Sequence, residues 1–159
     1  MSRTVRRAVL GDEEALTVLN EFVQRPHVAA RPGYFRTGSA DTVAAWFRSH
    51  LEKPTTLIRI AEQDGTPVGY VLALLHERAE NPFRVARRWC EIDQIAVDEK
   101  WRRRGIARAL VQSLLAELRE RGIRDVELFS WTFNETAHQA FRRLGFAPEV
   151  TRFGLMLPE

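Results

Sequence analysis

The chain has 159 residues, with 24 Lys and Arg against 21 Asp and Glu, a single cysteine and a formal net charge of +3. So mild an imbalance argues against a dedicated nucleic-acid binder. Cys90 alone excludes an internal disulfide, and no Cys/His cluster has metal-ligand spacing, so no metal is expected. Residues 1–9 hold no apolar leader and no apolar run approaches a membrane span, which sets a cytoplasmic, membrane-free protein as the expectation. The length suits one domain over 1–159 with a substantial core.

In chain order, residues 4–10 read as a first strand. A helix then starts with Asp12 as its cap and Ala15, Leu16, Leu19, Phe22 and Val23 on one face. From Arg25 to Ser39 prolines, glycines and the lack of a period predict a loop, followed by a second helix from Ala40 to about Pro54. Residues 56–63 and 67–76 predict two strands joined by the hairpin signal Asp64-Gly65, and the nearly unbroken apolar run from Val68 to Leu75 should be central. A polar connection, 77–88, leads to a fourth strand over Trp89–Val97. A long helix over 105–121 carries Leu110, Val111, Leu114, Leu115 and Leu118 and stops at Gly122. Val126–Trp131 predicts a fifth strand. A helix follows from Asn134 to Leu144, ended by Gly145 with Phe146 packing behind it, and 150–157 reads as a last strand or strand pair. This order predicts an α/β (α+β) mixed sheet with helices on both faces.

The stretch Arg102-Arg103-Arg104-Gly105-Ile106-Ala107 opens the long helix, and Arg108 follows. A helix start carries partial positive charge and favours Asp or Glu in its first turn. Crowding arginines there makes sense if an anion such as pyrophosphate is to be gripped. Taken alone, the motif also fits a solvated basic helix end or a nucleic-acid patch. Arg-x-x-Gly-x-Ala after a strand and before a helix resembles the acyl-coenzyme A signature of the GNAT N-acetyltransferase superfamily, and the element order matches that family over nearly the full length. The resemblance is most specific from Ile92 to Phe146.

It implies the GNAT fold: a central mixed, mostly antiparallel sheet with strands splayed at the acyl-CoA site. It further implies backbone contacts from Ile95, Ala96 and Val97 to the acetyl carbonyl and pantetheine arm, where one N–H serves as oxyanion donor. The alternative is that those N–H groups are all used within the sheet. The pyrophosphate falls to Arg102, Arg103, Arg104, Gly105, Ile106 and Ala107, with Arg108 as a side-chain clamp. Asn134 and Phe141 belong to the family's Asn-x-x-Ala-x-x-x-Phe pattern, in which the Asn reaches the pantetheine arm; a plain N-cap is Asn134's other use.

Glu91 aligns with the glutamate that some members use as general base, directly or through water, with Asp93 in reserve. Both alternate on one strand and should share a face, and both alternatively suit ion pairs with Arg84, Arg87 or Arg88. Many members place Tyr after the Phe to protonate the leaving sulfur, and this chain has Arg142 instead. Arginine cannot act as a general acid near neutrality, so it would stabilise thiolate as a fixed cation, or else be a surface residue. Tyr34 and Phe35 in the first interhelical loop, and Trp131, are the acceptor-contact candidates, Trp131 being equally suited to core. The four histidines are scattered. The reading is an acetyl-CoA-dependent transferase acting on a small-molecule or peptide amine in a ternary complex, with a homodimer as the resemblance's further expectation. Its rivals are a CoA-binding module without transfer activity and an arginine-rich nucleic-acid-binding domain.

Overall fold

The computed structural model describes residues 1–159. Its sheet grows by antiparallel neighbours from β1 (Arg3–Arg7) through β2 (Thr56–Gln63) and β3 (Thr66–Arg78) to β4 (Arg87–Val97), and ends with β5 (Val126–Leu128) parallel to β4. The helices are α1 (Glu13–Ala30), α2 (Ala40–Leu51), α3 (Ile106–Glu120) and α4 (Glu135–Arg143). The chain divides into two compact bodies, Met1–Phe129 with the whole sheet and Ser130–Glu159 with α4. No helix is long and apolar enough to cross a membrane.

The hairpin between β2 and β3 turns at Asp64 and Gly65, with φ of 50° and 79°, the left-handed pair that matches strand twist. That turn fixes Gln63 opposite Thr66 and sets alternation down both strands. Ile58, Ile60, Tyr70, Leu72 and Ala96 consequently meet Leu16, Leu19 and Phe47 of α1 and α2. The intervening residues Leu57, Ala61, Val71 and Ala73 are also buried, and α3 packs on the sheet with Ile106, Leu110, Val111, Leu114 and Leu118 buried. Being covered on both sides explains why β3 reads as one continuous apolar run.

Several segments depart from expectation. The first strand stops at Arg7, and Asp12 makes no side-chain cap bond. Its carboxylate is held by Arg6, with Nη1 and Nη2 at 2.8 and 2.9 Å, and accepts from the Val9 N–H. Those contacts, the guanidinium first, hold the Asp12 carboxyl below its usual range. Helix α1 runs through Pro26 to Ala30, where a loop was expected from Arg25. Proline removes one intrahelical bond, but packing of Phe22 and Val23 on the core and of the His27 ring edge-on to Phe35 holds the last turns. Strand β5 ends at Leu128, short of Trp131. The stretch 150–157 forms no strand, and its Val150, Phe153, Leu155, Met156 and Leu157 are exposed. An alternating segment becomes a strand only where a neighbouring edge supplies a ladder, and this one has none.

Gly69 sets how closely α3 approaches. A Cβ there would lie 2.8 Å from the Ala96 carbonyl and 3.2 Å from Ile106 Cγ2. Gly69→Ala is expected to lower stability by about 1–3 kcal/mol through overpacking, read as a lower urea midpoint with unchanged slope.

Candidate active site

The site begins with a break in pairing. Strand β5 is matched to β4 only over Cys90, Glu91 and Ile92, whereas β4 continues to Val97. On its other edge β4 stays paired with β3 throughout, so Asp93–Val97 have a strand on one side only. Half of the backbone N–H and C=O groups there face an edge with no ladder, where they must find another partner. The alternative in which Ile95, Ala96 and Val97 spend every N–H in the sheet therefore fails. The break coincides with a bulge: Leu72 pairs with Gln94 and Ala73 with Ile92, leaving Asp93 as the extra residue.

Beyond β4, Asp98 caps a single 3-10 turn over Glu99–Trp101 by accepting from the Lys100 N–H at 3.0 Å. The chain then swings through Arg103 (φ 60°) and Gly105 (φ 77°) into α3. A left-handed arginine costs about 1 kcal/mol or more, a strain that typically collects at ligand sites. Gly105 offers no side-chain cap and the first turn of α3 has no acidic residue, so its N–H groups are left open. Arg102, Arg103, Arg104 and Arg108 are exposed around this start, while the Ile106 side chain is buried. Arg102 Nε reaches the Val97 carbonyl at 3.3 Å, and the Arg104 guanidinium lies 5.0 Å from the Trp101 ring centroid. Arg3 joins them, donating from Nη2 to the Arg104 carbonyl at 2.7 Å. This cationic helix start with open amides fits a phosphate ester.

Glu91 stands opposite Leu74, and so on the α1/α2 side of the sheet. Neither carboxylate pairs with an upstream arginine, since Arg87 is taken by Asp125 at 2.5 Å and Glu127 at 2.8 Å. Asp93 is pushed above the usual carboxylate range by loss of solvation, partly opposed by the charge of His50. Although exposed as a residue, Asp93 sits on a bulge with enough protein packed around its carboxyl to strip hydration. Cys90 points the other way, and its thiol is pushed up to about 12, by burial first and by the Glu91 charge second.

Comparison with known proteins gives the family and the fold. Residues 19–146 match the family model described as Acetyltransferase (GNAT) family. The chain belongs to the GNAT acetyltransferase family. Among curated proteins it is 37% identical over 89 residues to a mycothiol acetyltransferase of Cellulomonas flavigena, a match spanning 55% of this chain and 26% of that protein. Among solved structures it resembles a tetramutant of the BH1408 protein from Bacillus halodurans, with a TM-score of 0.91, 21% identity, and 97% and 99% of the two chains covered. It also resembles the aminoglycoside N-acetyltransferase AAC(6')-Iy in complex with CoA, with a TM-score of 0.76, 18% identity, and 99% and 95% coverage.

The remaining GNAT candidates are placed as follows. Tyr34 and Phe35 lie in the loop after α1, packed edge-to-face at 4.9 Å, with Arg31 5.6 Å from the Tyr34 centroid. In the second body, Asn134 caps α4 by accepting from the Ala137 N–H at 3.4 Å. At the other end of α4, Gly145 (φ 100°) closes the helix: its N–H bonds the Arg142 carbonyl and the Phe146 N–H bonds the Phe141 carbonyl, both at 3.0 Å. The Phe146 ring meets Phe141 edge-on. Arg142 is exposed, and Trp131 stacks with Phe133. Sequence reasoning missed Arg3, because nothing local signals a contact across so much chain. It also passed over His76, which reads as one of several scattered histidines.

The raised Asp93 carboxyl gives a pH prediction with a definite sign. Between its unfolded and folded titration ranges the native state keeps a proton that the unfolded chain has lost, so this group's contribution to stability falls as pH rises from about 4. Asp93→Asn should remove that component, and urea titrations of both proteins at several pH values should show the variant relatively more stable towards neutrality.

Proposed function

We propose that this protein is an N-acetyltransferase that moves the acetyl group of acetyl-CoA to a primary amine by direct attack in a ternary complex. The observation that carries the reading is the unpaired edge of β4 leading straight into the uncapped, arginine-rich start of α3. One lies where a thioester arm can be bonded by backbone, and the other where its diphosphate can be gripped. Arg102–Arg108 and Arg3 would hold the pyrophosphate, through main-chain N–H groups reinforced by guanidinium charge. Ile95, Ala96 and Val97 would bond the acetyl carbonyl and pantetheine arm, and an N–H aimed at the developing oxyanion is worth a few kcal/mol.

Direct transfer is favoured over a covalent enzyme intermediate because the lone thiol, Cys90, is buried and protonated at neutral pH. The attacking amine must shed a proton, and Glu91, with Asp93 in reserve, anchors that function on β4. For Asn134 and Phe141 the family pattern alone supports a ligand role, whereas Arg142 departs from that pattern and would act as a fixed cation beside the thiolate, and Trp131 would wall the acceptor pocket. Tyr34 and Phe35 are aromatic surface suited to an acceptor's apolar part. A small amine acceptor would parallel the aminoglycoside that the similar AAC(6')-Iy enzyme is named for, and a cytoplasmic setting and a homodimer are part of the proposal.

Acetyl-CoA at about 100 times its dissociation constant should stabilise the protein by roughly 2.7 kcal/mol, visible as a raised Tm. Gly105→Ala forces a side chain into the left-handed region at the helix start, so it should cost about 1 kcal/mol of stability and weaken CoA binding about tenfold. An amine panel with released thiol as the readout then tests transfer. Absence of CoA binding in calorimetry ends the proposal, and binding without turnover on any amine leaves a CoA-binding module.

A further inference from the structure

His76 lies on β3 opposite Trp89, one step along the same face from Leu74, which stands opposite Glu91. That diagonal brings His76 Nε2 to 3.2 Å from Glu91 Oε2. The separation is an ion-pair distance without an aligned hydrogen bond, and Nε2 is otherwise shielded and without a partner. Active-site bonds of this kind commonly tighten only when substrate arrives. The imidazole stacks on Trp89 with centroids 5.0 Å apart and planes at 22°, which fixes the ring's orientation. A third of the side chain is exposed, and since Nε2 is covered, Nδ1 is the nitrogen left open to solvent.

Among the charged groups around this corner, Glu127 stands beside Glu91 on β5 and is paired with Arg87 at 2.8 Å. Arg78 and Arg87 lie over the Trp89 ring at 5.9 and 4.5 Å, and His50 of α2 acts on Asp93 further along β4. Glu91 is the one carboxylate within ion-pair distance of the imidazole. Arg78 Nε and Trp89 Nε1 are, like His76 Nε2, buried without hydrogen-bond partners. Such unsatisfied groups call for an explanation, and a ligand arriving beside them supplies one.

We propose that His76 is the proton acceptor of the transfer and that Glu91 is its positioning residue, holding the imidazole with the proton on Nε2 and Nδ1 free. This rests on the acetyltransferase reading and replaces the water between Glu91 and the amine with a side chain. The division of labour is that of a carboxylate–imidazole pair, in which the carboxylate selects the tautomer and stabilises the imidazolium. In the step, the amine lone pair forms the N–C bond and the C–S electrons leave on sulfur. The amine proton passes to Nδ1, and from there through water to the thiolate. Nothing is oxidised or reduced, and the imidazole returns to its starting form.

The test pairs kinetics with nitrogen-15 spectroscopy of the folded protein. His76→Gln keeps an amide donor for Glu91 but cannot accept a proton. Its kcat should fall about 100-fold, within the range that general bases contribute, with the KM for acetyl-CoA unchanged. His76→Ala should lose as much and be partly rescued by added imidazole. Full activity in His76→Gln, or no rescue of His76→Ala, overturns the proposal. Independently of turnover, the imidazole spectrum should show Nε2 protonated in the parent protein and a mixture of tautomers in Glu91→Ala. A dominant Nδ1-protonated form in the parent protein overturns the pair. If the tautomer result holds while no amine is acetylated, the acetyltransferase reading fails and the pair stands.

Discussion

Backbone polar groups at a sheet edge have to be satisfied, and β4 breaks that requirement between Asp93 and Val97. The bulge at Asp93 inserts one residue against β3, and the parallel partner on the other edge ends opposite Ile92. What remains is a strand held firmly on one side by the most buried strand of the molecule and open on the other. The placement of α3 depends on the same strand. Gly69 lets Ile106 settle against the Ala96–Val97 end, so the helix start follows directly from the open edge.

Electrostatics at the helix starts follows the same logic. Helices α1, α2 and α4 have Glu13 and Glu14, Asp41, or Glu135 in their first turns, as the helix dipole favours. Helix α3 has none, and places left-handed Arg103 and exposed arginines there. Charge that would repel the dipole is tolerable if an anion is the intended neighbour. Several arginines elsewhere are matched: Arg6 with Asp12 and Glu62, Arg87 with Asp125 and Glu127, and Arg59 and Arg121 with Glu117. The last group lines an open surface depression with Arg7 and Ser113, distant in kind from the chemistry at β4.

Much of the fold was legible because its signals are local. Asp64-Gly65 announced the hairpin, the apolar run of β3 announced a central strand, and the spacing of Leu110, Leu114 and Leu118 announced α3. Gly145 and Phe146 closed α4 as their types suggested. Readings failed where a distant contact outweighed a local preference. Pro26 marked a loop, yet core packing carried the helix past it. Asp12 suited a cap, yet Arg6 claimed its carboxylate. Alternation over 150–157 suggested a strand, yet a strand exists only beside another.

The sequence by itself determined the element types, the basic helix start and the two carboxylates of β4, because propensity, periodicity and charge are properties of neighbours along the chain. Tertiary structure decided where β5 leaves β4, that Arg3 joins the arginine loop, and that His76 rather than an arginine meets Glu91. Those outcomes depend on register between segments far apart in sequence, and one residue of slip would have turned every side chain to the opposite face.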